Sequence, residues 1–144
     1  WKYGAAAIIA LFHDIAIPTG VFAFLGKYYG IEVDTLFVTA LLTILGFSVH
    51  DTIVVFDRIR ERLNTSGGRE NFEDTVEKSI RSTVARSINT SLTVIIVMAA
   101  LYFLGGASTK LFSVAILIGI FFGTYSSIFI ASALLGSWNK FTLK

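Results

Sequence analysis

The chain is 144 residues long, 54% hydrophobic and only 15% charged, with a formal net charge of +2 and no cysteine. A soluble domain carries about 25% charged residues, so a deficit gathered into long apolar runs points to a membrane protein. The missing thiols exclude disulfides, thiolate metal sites and cysteine catalysis.

No basic stretch, short apolar core and cleavage site open the chain, so no signal peptide is expected. Trp1 stands first, and the chain reads as a piece of a longer protein that begins in a connecting loop. A helix needs roughly 20 mostly apolar residues to cross the hydrocarbon core. The first such run, about 3–26, contains "YGAAAIIALFHDIAIPTGVFAFL". His13 and Asp14 lie near its middle, and ionisable groups at that depth are costly and mark function by default. Pro18 follows four residues after Asp14 and has no N–H for the Asp14 carbonyl, so a hinge is expected at Pro18. The competing reading of His13 and Asp14 is a structural polar pair satisfied by a neighbouring helix.

The second span, about 35–57, runs into "GFSVHDTIVVFDRIRER" (46–62). Helical spacing places Ser48, Asp51, Val55 and Arg58 on one face and His50, Val54, Asp57 and Glu61 on another. Apolar residues flank Asp51 on both sides, which makes it the leading functional candidate, with His50 beside it as a candidate proton relay, the role for which imidazole is the usual side chain. Asp57 and Arg58 fall at the expected interface, where plain anchoring competes with function.

A charged loop, about 58–83, follows. Half of the basic residues collect here, Arg58, Arg60, Arg62, Arg69, Lys78 and Arg81, with Arg86 just beyond, whereas the other two connections carry only Lys27 and Lys110. The positive-inside rule then puts this loop and both ends of the chain in the cytoplasm. Trp1, Tyr3, Tyr28, Tyr29 and Trp138 fall at expected interfaces. Glu70, Glu73, Asp74 and Glu77 interrupt the basic run, so no nucleic-acid partner is expected. The stretch 63–70 is turn-rich. Residues 71–87 read as an amphipathic helix, with Phe72, Val76, Ile80 and Val84 on one face. It is expected to lie on the lipid surface; a solvated loop helix is the alternative.

The third span, about 84–105, has a clean apolar run only from Leu92 to Leu104, 13 residues. That is roughly 20 Å, short of a ~30 Å core. The span must draw in 84–91, which places Asn89 in the membrane and Arg86 at its margin. Two fates are open for Arg86: a contact with Asp51, or snorkelling to headgroups. Gly105 and Gly106 make a turn. The fourth span, about 110–136, contains Gly119 and Gly123, then Ser126 and Ser127, a small-residue pattern read as helix packing.

No catalytic set, metal-ligand cluster or phosphate loop is present, so neither an enzyme nor a cofactor is expected. Since lipid cannot satisfy free backbone groups and four segments are too few for a barrel, the fold class is all-α, a polytopic membrane helix bundle.

Four stretches carry a resemblance: "HDTIVVFDRIRER" (50–62), "FHDIAIPTG" (12–20), "ARSINTSLTVIIVMAALYFLGG" (85–106) and "GIFFGTYSSIFIASALL" (119–135). Together they resemble the SecF family of bacterial protein-export membrane subunits. The resemblance implies an RND-like architecture, of which this chain is the last four helices of a six-helix half, without the extracytoplasmic domain. It implies residence in the bacterial cytoplasmic membrane and SecD, the SecYEG translocon, the translocating preprotein and membrane lipid as partners. It implies use of the proton motive force to promote translocation, with Asp51 and Arg86 at the positions matching the family's aspartate and arginine. The alternatives are an RND-superfamily transporter of drugs or lipids and a non-conducting helix-packing module.

Overall fold

The computed structural model describes residues 2–66, 72–130 and 133–134. Trp1, residues 67–70 of the expected turn at 63–70, the end of the fourth span and Trp138 lie wholly or partly outside the described residues. Each apolar run forms one long helix: α1 (Lys2–Tyr29), α2 (Thr35–Ser66), α3 (Phe72–Leu104) and α4 (Ala107–Tyr125), the last continued by a π-helical turn over Ser126–Ile130. All four helices are long and apolar enough to cross a membrane, which together with the absence of strands among the described residues makes an all-α membrane bundle.

The helix ends follow local chemistry. Gly30 adopts φ 65° and donates its N–H to the Gly26 carbonyl at 3.0 Å, a left-handed stop that favours glycine. Asp34 caps α2 by accepting the Phe37 N–H at 3.1 Å. Gly105 and Gly106 join α3 to α4 as expected. α1 continues through Pro18, which is buried.

Residues 63–66, expected in a turn, continue α2 as helix, and a second feature of the expected layout differs as well. The segment 71–87 is not a separate surface helix; from Phe72 it forms the first half of α3, which runs on without a break. At about 1.5 Å per residue, the 32 residues of α2 and 33 of α3 reach roughly 48–50 Å, well beyond a ~30 Å core. The two helices pair as a hairpin, and Phe72, Val76 and Ile80 pack on the cluster formed by Ala6, Ala10, Val55, Phe56 and Ile59. The amphipathic stripe therefore buries itself against α1 and α2 rather than against lipid.

Two apolar clusters hold the bundle. The one just named ties the start of α1 to the charged end of α2 and α3. The other gathers Phe22, Ala40, Ala115, Ile116 and Ile120. Between them lies a layer of buried polar side chains. Many large apolar residues, such as Ile8, Phe12, Leu42, Ile96 and Phe121, face outward, as lipid solvation allows.

Candidate functional site

α4 can approach α2 closely because of its glycines. A Cβ on Gly119 would collide with the side chain of Ile44, while one on Gly123 would sit 3.8 Å from Ser48 Cβ and 3.9 Å from Asp14 Oδ2. This tight seam brings α1, α2 and α4 together at the level of the polar layer.

Asp51 occupies the centre of that layer and is 9% exposed. Ser87 of α3 donates to its Oδ1 at 2.5 Å, and Ser127 donates to its Oδ2. One carboxylate thus joins α2, α3 and the π-helical turn. The turn explains how: Ser126, Ser127 and Ile128 are all buried, three in succession, which an α-helix with one buried face does not provide. The wider π turn swings an extra residue inward, a deviation that recurs at functional sites.

Asp14 is fully buried. Ser48 donates to its Oδ2, and His13 Nδ1 lies 3.1 Å from its Oδ1, so a proton on Nδ1 donates to the carboxylate. His13 is half-buried, its side chain 35% exposed. The two carboxylates sit on either side of Ser48, one helical turn apart along α2.

The remaining expected residues lie outward. His50, Asp57, Arg58, Arg86 and Asn89 are all exposed. Arg58 pairs with Glu61 at 2.6 Å on its own helix. The contact weighed between Asp51 and Arg86 is not formed: Ser87, the next residue, faces inward and takes the carboxylate, which turns Arg86 away on the helix surface. Among the described residues no group of three His, Asp or Glu side chains could hold a metal ion.

Sequence reasoning missed the hydroxyls. Thr75, Ser79, Thr83, Ser87 and Ser91 form a buried stripe four residues apart along α3. Several satisfy themselves on the preceding turn, Ser79 on the Thr75 carbonyl at 2.7 Å, Thr83 on Ser79 at 3.1 Å and Ser91 on Ser87 at 2.8 Å. Ser91 also meets Thr124 of α4 at 2.5 Å. The signal was a strict i, i+4 run of small hydroxyl residues, the kind that lets membrane helices approach and bond.

Chemically the layer suits proton binding. Each serine hydroxyl can donate to a carboxylate or accept from a carboxylic acid, so both protonation states of Asp51 find partners among the described residues.

Comparison with known proteins places this geometry in a family. Residues 1–141 match the family described as protein export membrane protein SecD/SecF, C-terminal. The protein translocase subunit SecF of Thermobaculum terrenum is 59% identical over 140 residues, covering 97% of this chain and 44% of the relative. The protein translocase subunit SecDF of Thermus thermophilus is 44% identical over 140 residues, covering 97% of this chain and 18% of the relative. A crystal structure of SecDF in a super-membrane-facing form superposes with a TM-score of 0.89 at 43% identity, over 97% of this chain and 18% of that one. The chain therefore spans less than half the length of the SecF relative and about a fifth of the SecDF relative. With nearly every residue matched, the chain belongs to the SecD/SecF family of protein export membrane proteins and corresponds to the C-terminal membrane part of SecF.

Proposed function

We propose that the chain is the transmembrane C-terminal part of a SecF subunit that works with SecD and the SecYEG translocon, using the proton motive force to promote preprotein translocation. The support is the family match together with one structural observation: a carboxylate, Asp51, buried where three helical segments meet and, among the described residues, held by the hydroxyls of Ser87 and Ser127. A charged carboxylate out of water is costly, so such a group takes up a proton or finds a cation. Gaining or losing that proton changes what Ser87 and Ser127 must do, and they belong to different segments. Protonation is thereby tied to the packing of α3 and the π-helical turn against α2.

In this reading Arg86 acts from the outer surface, towards lipid headgroups or a partner helix, and reaches Asp51 only after rearrangement. His50, also outward, exchanges protons with the surroundings. Pro18 leaves the Asp14 carbonyl without its helical N–H and makes α1 the helix that bends. Asp57, Arg58 and Asn89 serve at the margin. The charged end of α2 and α3 and both ends of the chain lie in the cytoplasm, in the bacterial cytoplasmic membrane, as the basic residues favour.

A helix-packing role has one observation in its favour: Asp14 is fully enclosed and bonded to α1 and α2 only, which suits a lock. The deciding experiment replaces Asp51 by Asn in the full-length protein with its SecD partner, reconstituted in vesicles. Loss of proton flux and of export stimulation with normal assembly is the expected result. Normal flux in assembled material would refute the proton-coupled reading.

A further inference from the structure

Two hydroxyls stand outside every contact described so far. Thr52 Oγ1 and Ser126 Oγ are buried without a hydrogen-bond partner, and both residues are 0% exposed. A buried hydroxyl left unpaired is unfavourable and calls for an explanation.

The register puts them at one level. Gly119 abuts Ile44 and Gly123 abuts Ser48, so α2 and α4 run side by side in the same direction. The next turn of each carries Thr52 and Ser126. Their sequence neighbours Asp51 and Ser127 are bonded, which marks the same level. α1 runs the other way, with Asp14 on Ser48 and Tyr3 on Phe56, so the register sets the small, fully buried Ala10 at the level of Thr52. Two orphan hydroxyls next to a small side chain have the polarity an internal water requires.

We infer that Thr52 and Ser126 hold one ordered water, and that this water completes a proton relay between Asp51 and Asp14. Ser127 already bonds Asp51, and Ser48 already bonds Asp14. The transfer is an exchange of O–H bonds. The acid form of Asp51 gives its proton to the Ser127 oxygen while that hydroxyl releases its own. The water, anchored by Thr52 and Ser126, takes up that proton and hands one of its own to Ser48, whose hydroxyl releases its proton to the Asp14 carboxylate. Every hydroxyl and the water end neutral, and one proton has moved from one carboxyl to the other. The relay rests on the reading of Asp51 as the proton-carrying group and extends it to a second acid.

Few other ionisable groups face this network. His13 adjoins Asp14 on α1. On α2 and α3, His50 and Arg86 are exposed. On α4, Lys110 and Tyr125 are exposed as well.

The test is pH-difference infrared spectroscopy of the carboxylic C=O stretch in the full-length protein with SecD in lipid vesicles, with Asp14→Asn and Asp51→Asn to assign the bands. Coupled sites titrate as a pair. Asp14→Asn is expected to move the Asp51 midpoint by half a pH unit or more. In a Thr52→Val/Ser126→Ala background that displacement should fall by at least half, and Thr52→Ser should preserve it. Should the double variant fail to assemble, the single variants Thr52→Val and Ser126→Ala carry the same expectation. Equal Asp51 midpoints with and without Asp14, or a displacement untouched by loss of the hydroxyls, overturns the relay. Proton flux in Asp51→Asn separates the two claims. Lost flux with no coupling sinks the relay and leaves the transport reading; normal flux refutes the transport reading and with it the relay that rests on it.

Discussion

The chain uses the dipeptide His-Asp twice, and the two copies come to different ends. In α1, His13 turns back onto its neighbour, and Asp14 closes a contact between two helices, fully shielded. In α2, His50 faces outward while Asp51 turns inward and binds hydroxyls from α3 and from the π-helical turn. A carboxylate bonded to its own helix and one neighbour can change charge while disturbing a single contact between helices. A carboxylate shared among three segments cannot change charge without disturbing the packing of all three. Local composition does not distinguish these roles; the number of independent segments meeting at the group does.

The largest expected contrast lies in the acids themselves. If Asp51 carries the proton as proposed, Asp51→Asn in the full-length protein should lower proton flux at least tenfold with assembly preserved, since a hydrogen-bonding amide of equal size remains. Asp14→Asn should keep measurable flux, with a displaced pH midpoint and lower thermal stability of the bundle. Flux measurements in vesicles together with melting in detergent read both. Equal flux loss in the two variants would erase the distinction between lock and carrier.

The seam that makes the three-segment contact offers a second lever. Gly119→Ala drives its methyl into Ile44, and overpacking of that kind costs typically 1–3 kcal/mol. Gly123→Ala meets Ser48 and Asp14 only at ordinary contact distance, so it should cost far less. Trimming Ile44 to Ala alongside Gly119→Ala should recover part of the loss. Denaturation midpoints of the three variants check this, and identical costs at the two glycines would show that α2 and α4 are not packed as described.

Much of this was legible before the fold. Four apolar runs of the right length specify four helices, and Asp51 stands out because nothing near it is polar enough to explain it. The continuity of α3 was hidden. Phe72, Val76, Ile80 and Val84 form an obvious apolar stripe, and a stripe ending near lipid suggests a surface helix. The face that turns fully inward is one residue earlier, Thr75, Ser79, Thr83 and Ser87, and hydroxyls do not register in an apolar pattern. Ser127 was hidden for another reason: its reach to Asp51 depends on a π turn, and helical spacing assumes 3.6 residues throughout. Arg86 was drawn towards Asp51 by charge, but two adjacent helical residues point about 100° apart, and Ser87 is the one that faces the carboxylate.

The hydroxyls themselves give a smaller effect. Interhelical hydrogen bonds in membranes average about 0.6 kcal/mol and reach about 1.7. Ser87→Ala and Ser127→Ala should each cost an amount in that range and displace the pH dependence of flux in the same direction, because each removes one donor from the same carboxylate. Ser48→Ala should cost a similar amount in stability through Asp14. Flux recorded against pH separates the first pair from the third only by the size of the displacement, which should be greater for Ser87 and Ser127.

The histidines provide the finest comparison. His13→Ala removes a partner from a carboxylate that cannot reach water, leaving Ser48 alone on it, so a loss of about 1 kcal/mol is expected. His50→Ala removes an exposed ring, and surface changes of that sort stay within about 0.5 kcal/mol. A mild slowing of flux with unchanged stability in His50→Ala would mark the ring as an exchanger of protons at the surface. Should His50→Ala instead destabilise the bundle as much as His13→Ala, the ring must turn inward for part of the cycle, and the two His-Asp pairs would be far more alike than their contacts in this structure make them.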